Sequence, residues 1–223
     1  MILLENVVGL CQRHKQFFLD ILLTMKSMGY TVAWDILDSR KVGGVPQSRR
    51  RLYHVGIFGR CASRFVWPSP IDPTPLDELI DDTAFETKLP AGRPTSRKCQ
   101  RMRAMLCALR HAGCNYRKAR IVCDLDGRSF RCTIGYVPCL TKARAADGFW
   151  LVWKGRRPNT MEMLRLQGKR RPETLNLHGL SIRRRKIGQM IGNAFTESVV
   201  GRVMIALLDA SGLTGPLHDP WKR

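Results

Sequence analysis

Glu5 is the first residue whose position invites chemistry. It ends a short apolar run, Met1 to Leu4, that reads as a buried strand cut at its start, and Asn6 and Val7 follow. A carboxyl group there can accept or deliver a proton once burial tunes it, or simply sit solvated at a strand end. Further on, Val45-Pro46-Gln47-Ser48-Arg49-Arg50-Arg51 leads into a second apolar run, Leu52 to Phe58. Alternate residues of an extended backbone share a face, so Gln47, Arg49 and Arg51 line up while Arg50 points away. Two guanidiniums on one face can hold a carboxylate or donate to an oxygen; the same run could also grip phosphates or lie solvated. Near the other end, Gly192-Asn193 stands just before a long apolar-periodic stretch and reads as a helix start. Free N–H groups there suit a carboxylate, and a plain cap is the other reading.

These residues need elements to position them. Gln12 to Met28 carries Phe17, Phe18, Ile21, Leu22, Met25 and Met28 at helical spacing, and Gly29 closes that helix. Tyr30, Val32, Trp34 and Ile36 alternate as a strand. A polar loop, Asp38 to Arg51, separates it from the strand Leu52 to Phe58. Strand, helix, strand, loop, strand is part of an α/β sheet. Asn159 to Gln167 reads as a helix with Asn159 as cap and Glu162 three residues on; Glu162 and Arg165 are spaced for an i, i+3 pair. Ala194 to Ala210 is a further helix, with Phe195, Val199, Val203, Ala206 and Leu207 on one side.

Charge divides the chain unevenly. The 223 residues carry a formal net charge of +20, with 44% hydrophobic and 25% charged residues, so a core can form and a polyanion is the expected partner. Trp67 to Glu86 holds four prolines and a local charge of −6, whereas Arg93 to Arg144 carries +11. Arg120 to Cys123 and Phe130 to Val137 read as strands around the turn signal Asp126-Gly127. The basic stretch is expected to be an inserted, mostly irregular or β module. The eight cysteines contain no Cys-x-x-Cys pair, and Cys107, His111 and Cys114 match no zinc pattern, so no metal is expected. No apolar run approaches the roughly 20 residues of a membrane span, so no membrane partner is expected and the chain reads as intracellular.

Four patterns occur in fixed order: Glu5-Asn6-Val7; Gln47-Ser48-Arg49-Arg50-Arg51 after Val45-Pro46; Glu162-Met163-Leu164-Arg165-Leu166-Gln167-Gly168; and Ile191-Gly192-Asn193-Ala194. In letters and order they resemble the sixth, eighth, ninth and tenth motifs of the cytosine carbon-5 DNA methyltransferases. That family's target-recognition region lies between the eighth and ninth, where this chain has its basic stretch. Cys139-Leu140-Thr141 with Gly148-Phe149-Trp150 is similar to the lead-in to the ninth. The chain departs from the family at Lys169-Arg170-Arg171-Pro172, where Phe-Pro is common, and at Phe195-Thr196, where Val-Pro is usual.

The resemblance implies S-adenosylmethionine as methyl donor, double-stranded DNA as partner, and association with DNA in a nucleus or nucleoid. It implies catalytic roles for Glu5, Asn6, Arg49 and Arg51: Glu5 at ring N3 of cytosine, with the arginines fixing Glu5 and donating to O2. Gly192 and Asn193 fall on the cofactor side. Arg97, Lys98, Arg101, Arg103, Arg117 and Arg120 are candidates for phosphate contact. The implied fold is the C-terminal part of a Rossmann-like methyltransferase sheet plus a smaller basic recognition domain. The expected divisions are 1–64 (catalytic), 65–155 (recognition) and 156–223 (a helical return to the catalytic domain).

The family's Phe-x-Gly-x-Gly cofactor turn and Pro-Cys-Gln nucleophile loop occur nowhere in the 223 residues. Pro138-Cys139 lies inside the recognition region, and Cys11 reads as a small buried residue. The expectation is a C-terminal portion: a subunit of a split enzyme, a truncated gene product or a degenerate copy. It would be inactive without an N-terminal half, which a separate subunit could supply. A non-catalytic basic DNA-binding protein derived from such an enzyme is the alternative.

Overall fold

The computed structural model describes residues 1–59, 65–83, 97–116, 118–124, 131–147, 149–175 and 182–222. They form two compact units. One comprises Met1–Val45, Arg49–Pro73 and Phe195–Arg223; the other comprises Pro46–Ser48 and Thr74–Ala194.

The first unit is built on three strands, β1 (Ile2–Val7), β2 (Tyr30–Asp38) and β4 (Arg50–Phe58), in the order β1-β4-β2. β4 is antiparallel to both neighbours, so β1 and β2 run the same way on either side of it. Period-2 alternation assigns the faces. Tyr53, Val55, Ile57 and Leu37 face α9 (Glu197–Ser211), packing on Val199, Val203, Leu207 and Ala210. Leu52 and Ile36 face the other way, onto Leu10 of α1 (Gly9–Arg13) and Phe18 of α2 (Lys15–Ser27). Burying such side chains contributes about 1.5–3 kcal/mol each. Gly56 of β4 allows this closeness, since a Cβ there would meet Met25 Cε at 2.8 Å.

The expected first helix is two, broken at His14, and Gly29 closes it at φ +86°. The loop from Asp38 to Arg51 contains α3 (Ser39–Val42), capped by Asp38 accepting from Arg40 N at 3.0 Å. Beyond α9 the chain folds back: Trp221 packs on Gly201, and Arg202, 3% exposed, pairs with Asp219 at 2.6 Å. Arg202 also donates to Val42 O and Ser69 O, so one guanidinium joins three segments of this unit.

In the second unit β5 (Ile121–Asp124) lies between β6 (Arg131–Ile134) and β8 (Trp150–Leu151), both antiparallel to it. On one face Ile121, Cys123, Trp150 and Val152 pack against α5 (Arg97–His111) through Met102. On the other, Val122 and Leu151 join Leu140, Phe149, Met163, Leu166 and Ile191 in the larger core. That core takes in α4 (Leu76–Leu79), α6 (Lys142–Asp147), α7 (Thr160–Leu166) and α8 (Arg184–Asn193). Two short strands, β3 (Gln47–Ser48) and β7 (Val137–Pro138), pair in parallel.

Several expectations are corrected here. The basic stretch also holds a helix that its composition does not announce, the 15-residue α5, beside described residues that are mostly strand, turn or coil. The turn signal Asp126-Gly127 lies outside the described residues. α7 and α8 pack in the second unit's core, and the first unit resumes at Phe195. Arg184–Ser211 reaches the length and apolarity of a membrane span by composition, yet residues 194–196 break it into α8 and α9. Asn159 caps α7 in a reciprocal capping box with Glu162, as expected. Glu162 and Arg165 do not pair with each other. Glu162 binds Arg156 at 2.6 Å and Arg165 binds Asp81 at 2.6 Å.

Candidate active site

The β1–β4 ladder sets Glu5 directly opposite Tyr53 and Val7 opposite Arg51. Glu5, Tyr53 and Arg51 therefore share the face that looks toward α9, with Arg51 diagonal to Glu5 and within reach of a long side chain. Arg51 Nε lies 3.1 Å from Glu5 Oε1, and both side chains are 15% exposed. Arg51 Nη1 also donates to the Arg50 carbonyl, which fixes the guanidinium fork.

Arg49 is 3% exposed and close enough to act electrostatically on Glu5. Its backbone is anchored at both ends. The N–H donates to Asp38 Oδ1 at 3.3 Å, and the carbonyl accepts from Ser39 N at 3.0 Å and Ser39 Oγ at 3.2 Å. The Ser39 and Thr196 hydroxyls are hydrogen-bonded at 2.8 Å, linking this corner to the residue before α9. The arginine wall is thus seated by the loop and helix cap that precede it.

Burial pushes the Glu5 carboxyl above its ordinary range, against the opposing pull of Arg51 and then Arg49. Desolvation also raises Tyr53, and the neighbouring Glu5 charge adds to it, so its hydroxyl stays neutral. A half-buried carboxyl with a raised pKa, beside two fixed cations and a neutral phenol, can hold a proton and give it to a ring nitrogen.

Tyr53 was not singled out from sequence. The same odd-numbered alternation that joins Arg49 to Arg51 continues to it, so parity was the available signal. Gln47 breaks that alternation. It belongs to the second unit, where it is fully buried, donates to Leu166 O at 2.7 Å and Gln167 Oε1 at 3.2 Å, and accepts from Leu140 N at 2.9 Å. It is a structural tie within the second unit. Asn6 is exposed and its Oδ1 accepts from Val7 N at 2.8 Å, a local contact.

Gly192 and Asn193 are the last two residues of α8, not the first of a helix. Their position exposes carbonyls rather than N–H groups, the wrong polarity for a carboxylate. Gly192 serves packing: a Cβ there would lie 2.6 Å from Lys142 N and against the Thr141 backbone. Because backbone cannot yield as a flexible side chain can, Gly192→Ala is expected to destabilise the second unit by about 1–3 kcal/mol. A thermal melt of the purified chain checks this, and an unchanged midpoint would show that α8 can slide.

Of the phosphate-contact candidates, Arg97, Arg101 and Arg103 are exposed on α5. Lys98 lies on the same helix, but its side chain is outside the described residues, as is Arg117. Arg120 is engaged within its own unit. It pairs with Asp77 at 2.5 Å, donates to Lys118 O and lies 5.8 Å from the Trp153 ring centroid.

Residues 1–91 match the family of C-5 cytosine-specific DNA methylases. Over 87 residues the chain is 42% identical to type II methyltransferase M2.ScrFI of Lactococcus lactis subsp. cremoris, covering 38% of this chain and 24% of that protein. Over 82 residues it is 38% identical to type II methyltransferase M.NgoBI of Neisseria gonorrhoeae, covering 36% and 25%. The chain thus matches about a quarter of the length of these curated relatives. Among solved structures, the methyltransferase EhMeth of Entamoeba histolytica superposes with a TM-score of 0.63 at 15% identity, over 96% of this chain and 63% of that one. The Dnmt2 methyltransferase of S. pombe gives 0.58 at 15% identity, over 93% and 66%. The family match spans residues 1–91, while likeness of fold to these two solved structures covers 96% and 93% of the chain.

Proposed function

We propose that this chain supplies the target-base pocket and the DNA-reading unit of a cytosine carbon-5 DNA methyltransferase. The observation that carries this reading is the Glu5–Arg51 pair with Arg49 and Tyr53 on one sheet face. All four lie inside the segment that matches the C-5 cytosine-specific methylases.

Carbon-5 of cytosine becomes nucleophilic only after a thiolate adds to carbon-6, which moves electron density to N3 and O2. Glu5, its carboxyl raised by burial, is placed to give a proton or hydrogen bond to N3. Arg51 holds Glu5 in place, and the arginines offer N–H groups to O2. S-adenosylmethionine, the donor this family implies, supplies the methyl group. Gly192 and Asn193 end α8, so any contact from them to the cofactor would come from the Asn193 side-chain amide rather than from helix N–H groups.

With no Pro-Cys-Gln and no Phe-x-Gly-x-Gly among the 223 residues, the nucleophile and cofactor turn come from elsewhere, either a separate subunit or another part of a longer protein. The chain then corresponds to the C-terminal portion of a Rossmann-like enzyme, acting on double-stranded DNA in the nucleus or nucleoid. Its first unit is catalytic and its second reads DNA. Arg97, Arg101 and Arg103, exposed on α5, meet phosphates, and Lys98 and Arg117 remain candidates by sequence.

The test is co-expression with an N-terminal methylase half carrying the Pro-Cys-Gln loop, followed by incorporation of labelled methyl into DNA. Activity is expected from the pair and none from the chain alone. Incorporation by the chain alone would overturn the division of labour. Intact DNA binding with no activity from the pair would favour a binding protein derived from such an enzyme.

A further inference from the structure

Cys123 and Cys132 face each other across the β5–β6 ladder, in register. Their sulfurs are 2.9 Å apart. Met105 Sδ, on α5, lies 3.4 Å from the first and 3.2 Å from the second. Cys123 is fully buried in the core beneath α5, whereas Cys132 is exposed. One thiol is thus open to a reagent, and the other is held against it from inside.

We propose that this pair is an oxidation site, at which a hydroperoxide converts the two thiols into a disulfide across the ladder. This goes beyond the methyltransferase reading and does not depend on it. The shared hydrogen bond sets the order of events. The proton stays with Cys123, and the Cys132 thiol is more acidic than usual because Cys123 donates to it. Cys132 sulfur attacks the peroxide oxygen. The O–O bond breaks, the alcohol leaves with a proton, and Cys132 becomes a sulfenic acid. Cys123 sulfur then attacks Cys132 sulfur. The S–S bond forms, the S–O bond breaks, and hydroxide leaves with the Cys123 proton as water. Two thiols and one hydroperoxide give one disulfide, one alcohol and one water. Closing to a sulfur–sulfur bond of about 2.05 Å shortens the present separation of 2.9 Å by less than 1 Å.

Hydrogen peroxide is the probe, added in slight excess to the full chain, with alkylation of the remaining thiols and mass measurement. The expected product is lighter by two hydrogens. Its tryptic digest links the peptide holding Cys123 to the one holding Cys132 and Cys139, and fragmentation places the bond on Cys132. Cys132→Ser, a change at an exposed position, is expected to abolish the link. In Cys123→Ser a sulfenic acid at Cys132 is expected, trapped by dimedone. Circular dichroism establishes that each variant is folded, and Cys132→Ser suffices if Cys123→Ser is not. A link through Cys139, scrambled links among the other cysteines, or a Cys123–Cys132 pair that stays alkylatable while other thiols oxidise would overturn the proposal.

Discussion

Glu5→Gln, introduced into the complemented enzyme, is expected to lower methyl transfer about 10²–10⁴-fold, the usual contribution of a positioned general acid. The same change is expected to stabilise the chain at neutral pH. Burial outweighs the two arginines and raises the Glu5 carboxyl. The folded state therefore binds more protons than the unfolded state between the ordinary carboxylate pKa and the raised one. Stability falls as pH rises through that window, and the loss is complete above the raised pKa. Glutamine, which resembles the protonated acid, escapes the loss. The melting midpoint of Glu5→Gln should exceed that of the parent at pH 7 to 8, and the gap should close below about pH 4.5, the carboxyl's ordinary value. Lost activity with a gain that disappears in acid is the signature of a carboxyl placed for chemistry. A variant that keeps full activity would remove Glu5 from the mechanism.

Glu162→Ala is expected to be the most damaging single change to stability. The carboxylate is fully buried and accepts four hydrogen bonds: from Arg156 Nη2 at 2.6 Å, Arg156 Nη1 at 2.8 Å, Asn159 N at 2.7 Å and Asp81 N at 2.9 Å. Its removal strands a nearly buried guanidinium and dissolves the capping box of α7. Breaking a buried ion pair from one side costs about 3–5 kcal/mol. Hydrogen exchange should show amides of α7 and of residues 80–83 losing protection, while the β1–β4–β2 sheet keeps its own. Replacing Arg156 and Glu162 together by leucine should recover part of the loss, because no charge is then left unpaired. A single alanine variant as stable as the parent would mean that water reaches this pair.

Legibility from sequence followed the range of the interactions involved. The strands of the first unit and the cap of α7 depend on neighbours a few residues away, and the sequence shows them. The motifs suggest that Glu5, Arg49 and Arg51 lie together, as they do, but not Tyr53, whose place opposite Glu5 depends on a register between distant strands. α5 escaped because its basic residues obscure a narrow apolar stripe: Met102, Met105, Leu106 and Leu109 pack inward, while the arginines give the segment a polar composition. Gly192 was misread because a glycine before an apolar helix resembles a start signal. Here it marks the close approach of α8 to the backbone at Thr141–Lys142, a contact fifty residues away in sequence. Glu162 and Arg165 have the spacing of a local pair, but each has a partner from another segment with better geometry.

The interleaving of the two units sets an order on synthesis. β4, the central strand of the first sheet, is complete by Phe58, but the helix that covers its Tyr53, Val55 and Ile57 face begins at Glu197. The roughly 120 residues of the second unit emerge in between. At about 5–20 residues per second on the ribosome, the roughly 140 residues from Phe58 to Glu197 keep that apolar face waiting about 7 to 28 seconds. The second unit, contiguous apart from Pro46–Ser48, can gather its core during that interval. The nascent chain is therefore most prone to aggregate after β1, β2 and β4 exist and before α9 arrives. Translation stalled between residues 60 and 195 would be the most damaging to it.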